Sequence, residues 1–255
     1  MNIYKTLVIS FLLSIGFTPY VLSNKSQSAP FVLITMLYNE KNPKRMKEYI
    51  TCLERNMKHE LIETIHILYD KTGDGRKNNL LKKLQQSDVT ITYLNGRATY
   101  GYCFELANRI YPDKKIILAN ADIYFNHTLH KLVDYDLTGK FLALTRWDEE
   151  KKGELVPYRR YRGVNTPDSQ DVWIFQSPIR RFQDDNIPLG WPLCDGRIAY
   201  QANASGFQVL NPCMTIQCCH IHRSRIRNYN RHCALEALKG IRSRPVRWSR
   251  LKYKR

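Results

Sequence analysis

The 255-residue sequence predicts an α/β domain built on a mostly parallel central sheet with helices on both faces. Three observations predict it. Short apolar runs alternate with segments that are apolar at helical spacing, and the alternation occurs four times in the first half of the chain. The run Ile116 to Ala119 is continuously apolar, as in a strand buried on both faces. The connections are short, so each strand–helix–strand passage reads as a βαβ unit.

Phe31 to Met36 forms the first strand, which ends at Tyr38-Asn39-Glu40. Met46, Tyr49, Ile50, Leu53 and Met57 then recur at the spacing of an amphipathic helix. Ile62 to Tyr69 is a second strand ending at Asp70, followed by the turn-rich Thr72-Gly73-Asp74-Gly75. Asn78 to Gln86 suits a second helix and Val89 to Tyr93 a third strand. Gly101 to Tyr111 reads as a helix with Phe104, Ala107 and Ile110 turned inward. The next strand lies in Lys114 to Phe125, where Ile116 to Ala119 run straight into Asn120-Ala121-Asp122.

The second half has a different rhythm. Phe141 to Thr145 is a strand closed by Arg146-Trp147-Asp148. Glu149 to Asp168 is a long polar loop, of the kind that often serves as a lid or binding loop. Asp171 to Phe175 is a short strand. Gly190 to Asp195 leads into a helix through Ala204, which Gly206 ends before the strand Phe207 to Leu210. There are no internal repeats or low-complexity segments.

The termini are separate from this domain in composition. Lys5 precedes the apolar run Thr6 to Phe17, and Val21-Leu22-Ser23 resembles a cleavage site, so residues 1–23 read as a signal peptide or signal anchor. Residues 24–30 form a polar linker, 31–222 the folded domain, and 223–255 a basic tail. The expected location is therefore outside the cytoplasm or on a membrane: secretory pathway, periplasm or membrane-associated. The net charge of +17 resembles that of a nucleic-acid-binding protein, but its distribution differs. The last 33 residues hold 12 Lys or Arg and one Glu, leaving a net of +6 elsewhere. Such a tail on an exported or anchored protein suits anionic lipid headgroups, and no nucleic-acid partner is expected. The seven cysteines are candidates for disulfides in an exported domain, and their odd number leaves at least one outside any internal pair.

The order of these motifs resembles the nucleotide-sugar-binding half of GT-A fold glycosyltransferases, particularly the inverting family 2-like group. Tyr38-Asn39-Glu40 is similar to that family's first strand end, and Asp70 to its acidic residue near the base. Asn120-Ala121-Asp122 is similar to its DxD strand end, with Asn in the first acidic position. Cys194-Asp195-Gly196-Arg197-Ile198-Ala199 followed by Gly206-Phe207-Gln208-Val209 resembles its acidic catalytic helix and the strand after it. His220-Ile221-His222 falls where many members place a metal-binding histidine. The resemblance implies a GT-A-like fold from Phe31 to His222 and transfer of a sugar from a nucleotide-diphosphate donor, with inversion, to a glycan, lipid-linked or protein acceptor.

It also implies site residues. Asp122, with His222 and His220, would hold Mn²⁺ or Mg²⁺, and Asn120 can assist through its carbonyl oxygen. Tyr38, Asn39, Glu40, Asp70, Asn120 and Asp122 would line the nucleotide-sugar site. Asp195 is the favoured general base and Asp171 the competitor, because a carboxylate within reach of the acceptor hydroxyl is the usual solution. Arg97 and Arg146 are candidates for phosphate contacts. Other readings remain open on the residues alone. Cys213, Cys218, Cys219, His220, His222, His232 and Cys233 offer zinc ligands, at irregular spacing and without a CxxC pair. A metal-dependent nuclease using Asp122, Asp171 and Asp195, or a non-catalytic binding module, would carry the same carboxylates.

Overall fold

A computed structural model describes residues 30–72, 79–150, 153–158, 169–224, 226, 242, 244 and 246–253. The expected alternation forms the first half. Strand β1 (Phe31–Tyr38), helix α1 (Pro43–Met57), β2 (Ile62–Asp70), α2 (Asn79–Gln85), β3 (Thr90–Leu94), α3 (Tyr100–Ile110) and β4 (Lys115–Ala119) follow in order. β1 pairs in parallel with both β2 and β4, and β2 with β3. The caps are local. Asn42 accepts from the backbone N–H groups of Lys44 and Arg45 with Pro43 beside it, and Thr99 accepts from Tyr102. These side chains satisfy helix donors that would otherwise be orphaned.

β1 shows why the sheet is covered on both sides. Phe31, Leu33 and Leu37 join one apolar cluster with Tyr49 and Leu53 of α1. Val32 and Ile34 join the other with Phe104 and Ala107 of α3. Alternate residues of a strand face opposite sides, so a continuous apolar run serves two cores. One inward assignment fails: Ile110, the last residue of α3, is 43% exposed.

The second half completes the sheet in mixed fashion. β6 (Lys140–Leu144), β9 (Val172–Gln176) and β10 (Gln208–Leu210) extend it to the order β10-β6-β9-β4-β1-β2-β3. β9 runs antiparallel between β4 and β6. α4 (Cys194–Ala204) sends Ile198, Ala199 and Ala202 into the same cluster as α3. A second sheet of order β5-β11-β7-β8 joins β5 (Ile123–Phe125), β11 (Cys218–His220), β7 (Trp147–Glu149) and β8 (Leu155–Pro157). Two expectations are corrected by it. Lys114 to Phe125 is two strands in two sheets, broken at Asn120–Asp122. Trp147 and Asp148 open a strand rather than close one, because β7 finds edges in both β8 and β11.

The long loop contains β8, and its residues 151–152 and 159–168 lie outside the described set, as do residues 1–29. Among the described residues no helix is long and apolar enough to cross a membrane. The described part of the basic C-terminal segment lies against the domain. Val246 is buried in the second cluster, and the fully buried Asn211 donates to its carbonyl at 2.9 Å. Leu251 N–H donates to Thr215 Oγ1 at 3.1 Å and Tyr253 OH to the Lys131 carbonyl at 2.7 Å. Cys52, Cys103, Cys194, Cys213, Cys218 and Cys219 are buried free thiols, so no disulfide occurs among the described residues; Cys233 lies outside them.

Candidate functional site

The carboxyl edge of the large sheet gathers the candidate residues. Tyr38 pairs with Asp70 across the ends of β1 and β2, and β4 ends at Ala119, opposite Thr35 of β1. In open α/β sheets this edge is where ligands bind. After Ala119 the chain turns, closed by a bond from Ile123 N–H to the Asn120 carbonyl at 3.2 Å, and the turn holds Asp122 at 8% exposure.

Asp122 Oδ2 accepts from Arg45 Nη2 at 2.5 Å and meets His220 Nε2 at 3.1 Å. His220 Nδ1 meets Asp148 Oδ1 at 2.7 Å. Both ring nitrogens therefore face carboxylates, which can only accept, so both carry protons. Burial pulls the His220 pKa down, but Asp122 and Asp148 outweigh it and push it up to about 9. The reverse holds for Asp122. Burial would raise it, yet His220 and Arg45 hold it far below the usual carboxylate range. His222 Nε2 donates to the Ile226 carbonyl at 2.8 Å, which leaves Nδ1 as its lone-pair atom in the neutral ring.

Asp122, His220 and His222 each place a ligand atom within 4.8 Å of the others. The donor set fits a divalent cation that takes the place of the proton on His220 Nε2: one carboxylate, and two imidazoles whose other nitrogens are held by Asp148 and a backbone carbonyl. Such outer partners orient metal-ligating histidines. Neither histidine is placed by local sequence alone. β11 delivers His220 through its pairing with β5 and β7, and Ile221 N–H donates to the Asp122 carbonyl at 3.0 Å.

A second group begins at Asn120. Its Nδ2 donates to Asp171 Oδ1 at 2.9 Å, and its N–H to the Asp171 carbonyl at 3.0 Å. This gives a physical reason for Asn where the GT-A pattern has an acid: a carboxylate cannot donate to Asp171. Arg146 donates from Nη1 to Asp171 Oδ2 and Ser169 Oγ, both at 2.9 Å, and from Nε to Asp148 Oδ1 at 3.0 Å. Its guanidinium lies 3.8 Å from the Tyr158 ring centroid. Anions and cations thus alternate from Arg45 through Asp122, His220, Asp148 and Arg146 to Asp171. Arg146 is engaged within this chain rather than extended toward a phosphate, and Arg97 Nη1 donates to the Leu189 carbonyl at 2.9 Å.

Asp195 stands apart from the ion pairs. It lies in the first turn of α4, and its Oδ2 accepts from Gln170 N–H at 3.0 Å. Burial pushes its carboxyl up, the N–H groups of Gln170 and Gly196 pull it down, and the Asp171 charge raises it again. The result is about 6. Residue 193 before it is a left-handed Leu at φ 62°, so α4 lacks a side-chain cap.

At the other end of the edge, Tyr38 OH donates to Glu40 Oε2 at 3.0 Å and meets Tyr49 OH at 3.2 Å. Glu40 Oε1 accepts from Asn42 N–H at 2.9 Å, which ties it to the start of α1. Asn39 lies between them, half-buried. Asp70 Oδ1 accepts from the N–H groups of Thr72 at 2.8 Å and Gly96 at 3.0 Å, and from Thr72 Oγ1 at 2.5 Å. The structure thus joins Asp122, His220 and His222 in one cluster and links Asn120, Asp171 and Asp195 in another. Tyr38, Asn39, Glu40 and Asp70 sit along the strand ends beside them.

Sequence reasoning missed Arg45, Glu48 and Asp148. Arg45 and Glu48 are polar residues on the buried side of α1, and in sequence they resemble the solvated face of an amphipathic helix. Asp148 was visible only as a strand terminator.

No known family profile matches the chain, and no curated protein matches its sequence. Solved structures do match. The structure of GalNAc-T7 with UDP, GalNAc and Mn²⁺ aligns with TM-score 0.51 at 10% identity, covering 78% of this chain and 45% of that one. The mannosyltransferase PcManGT from Pyrobaculum calidifontis, in complex with GDP-Man and Mn²⁺, aligns with TM-score 0.47 at 12% identity, covering 78% and 58%. S. aureus TarS 1–349 aligns with TM-score 0.43 at 12% identity, covering 75% and 57%. The chain spans about half the length of these structures. At such identities the likeness is one of fold, and GalNAc-T7 carries it. The mixed, mostly parallel sheet with helices on both faces is therefore the GT-A-like fold of nucleotide-sugar glycosyltransferases.

Proposed function

We propose that the protein transfers a sugar from a nucleotide-diphosphate sugar to a hydroxyl of a glycan, lipid-linked or protein acceptor, with inversion. One observation carries the reading: a cluster able to hold a cation and a separate carboxyl of raised pKa share one sheet edge. They are joined through Asn120, Asp171 and Gln170. The fold of GalNAc-T7, whose structure holds UDP, GalNAc and Mn²⁺, supports the nucleotide-sugar donor; inversion and the acceptor rest on the motif resemblance.

Asp122, His220 and His222 would hold the divalent cation, with Asp148 fixing the His220 ring. Two of the three donors are imidazole nitrogens, which favours Mn²⁺ over Mg²⁺, a cation that prefers oxygen. The bound cation supplies Lewis-acid neutralisation of the donor diphosphate. Asp195 accepts the proton of the acceptor hydroxyl, and a carboxyl near pH 6 is ionised yet basic enough at neutral pH. Asp171 is saturated by Asn120, Arg146 and Ser169, so it positions Asp195 and the acceptor rather than moving a proton. Tyr38, Asn39, Glu40 and Asp70 line the nucleotide end. Export or anchoring through residues 1–23 belongs to the same proposal, as does an anionic membrane surface for the basic residues of 223–255. Both rest on sequence composition.

The test is a thermal-shift panel of UDP-, GDP- and dTDP-sugars with and without Mn²⁺. A ligand at 100 times its Kd stabilises the native state by about 2.7 kcal/mol. The expected result is one donor class that raises the melting temperature, and does so more with Mn²⁺. Absence of a shift with every donor contradicts the proposal.

A further inference from the structure

We propose that Arg45 is a built-in competitor of the divalent cation for Asp122, and that the Arg45–Glu48 pair on α1 sets the metal affinity of the site. The inference rests on the reading of Asp122, His220 and His222 as ligands.

Arg45 is 7% exposed and reaches the cluster from α1. Its Nη2 donates to Asp122 Oδ2 at 2.5 Å, and its Nη1 to the carbonyl of Ile221, between the two histidines, at 3.3 Å. Tyr49 fixes it further, accepting from Nε at 3.2 Å with its ring centroid 4.6 Å from the guanidinium. A guanidinium does not lose its proton in proteins, so its charge stays in place when a cation arrives. In a buried site of low effective dielectric, a fixed positive charge on the same carboxylate repels a divalent ion strongly. Among the described residues Asp122 is the one carboxylate in the cluster, so the cation has no second acid there.

Glu48 moderates this effect. Its Oε2 accepts from Arg45 Nη1 at 2.8 Å and from Ser224 Oγ at 2.9 Å, and its Oε1 accepts from Ser224 N–H at 2.6 Å. It therefore shares the guanidinium charge with Asp122 while tying down the chain just past His222. Removing Arg45 should strengthen metal binding. Removing the Glu48 charge should weaken it, because the guanidinium is then left to Asp122 alone.

The experiment titrates Mn²⁺ into the full chain and into R45Q, R45K, E48Q and D122N, reading free Mn²⁺ by electron paramagnetic resonance. Circular dichroism checks folding. R45Q should bind Mn²⁺ about tenfold tighter than the parent or more, R45K within about threefold of it, and E48Q several-fold weaker. Damage to the fold weakens binding, so a gain in R45Q is not a folding artefact. Equal or weaker binding by R45Q, with a parent that binds and D122N that does not, overturns the competition and leaves the metal site standing. If the parent, R45Q and D122N are alike in not binding, the metal reading falls and this inference with it. Should R45Q not fold, E48Q decides: binding as tight as the parent's overturns the proposal.

Discussion

Asp122 and Asp195 are the same side chain in two neighbouring clusters, and their surroundings make them opposites. Asp122 lies against a guanidinium and an imidazolium, which hold it ionised. Asp195 is held by backbone N–H groups beside another carboxylate, and burial raises it to about 6. A carboxylate locked in its charged form suits a cation. One poised near neutrality suits proton transfer. The difference shows that the charge state of each acid is set by partners that arrive from distant parts of the chain.

The largest expected effect comes from removing the poised carboxyl. Asp195→Asn should lower the transfer rate about 10²–10⁴-fold, the usual worth of a general base, while donor binding persists. Steady-state kinetics with the donor found by thermal shift checks it. Next comes the locked carboxyl. Asp122→Ala leaves Arg45 and His220 buried without their shared anion, and breaking such a pair costs about 3–5 kcal/mol. Urea unfolding of the variant should show that loss. An Asp122→Ala protein as stable as the parent would mean the pair is solvated.

How far the sequence revealed this contrast depends on the element. The first half was legible because a doubly buried strand is a continuous apolar run, and β1 and β4 each show one. The strands of the second sheet were not. Three residues such as Ile123–Phe125 or Cys218–His220 are too short to display a period. The antiparallel direction of β9 also leaves no local mark, since direction is set by where the chain returns. Asp122, Asp195 and the histidines were legible as motif positions, but Arg45 and Asp148 were not. A charge on an amphipathic helix looks solvated until tertiary packing covers it.

Two smaller effects sharpen the comparison. Asn120→Asp, which restores the second acid of the GT-A pattern, should destabilise the protein by about 1–3 kcal/mol. It replaces the donor to Asp171 with a like charge. A stabilised variant in a melting experiment would show that Asn120 does not serve Asp171. The pH dependence is smaller still and has a definite sign. The Asp195 carboxyl titrates near 3.9 in an unfolded chain and at about 6 in the folded one. The folded state therefore binds the proton more tightly, and this group lowers stability as pH rises from about 4 to about 6. Urea midpoints across that window should lose this component in Asp195→Asn. The transfer rate of the parent should rise through pH 6 and then level off.

The two carboxylates are compared most directly by calorimetric titration of the donor, with Mn²⁺ present, into the parent, Asp122→Asn and Asp195→Asn. Donor binding should be strong in the parent, preserved in Asp195→Asn and lost in Asp122→Asn. Donor binding that survives Asp122→Asn unchanged, or disappears in Asp195→Asn while that protein stays folded, would contradict the division of roles.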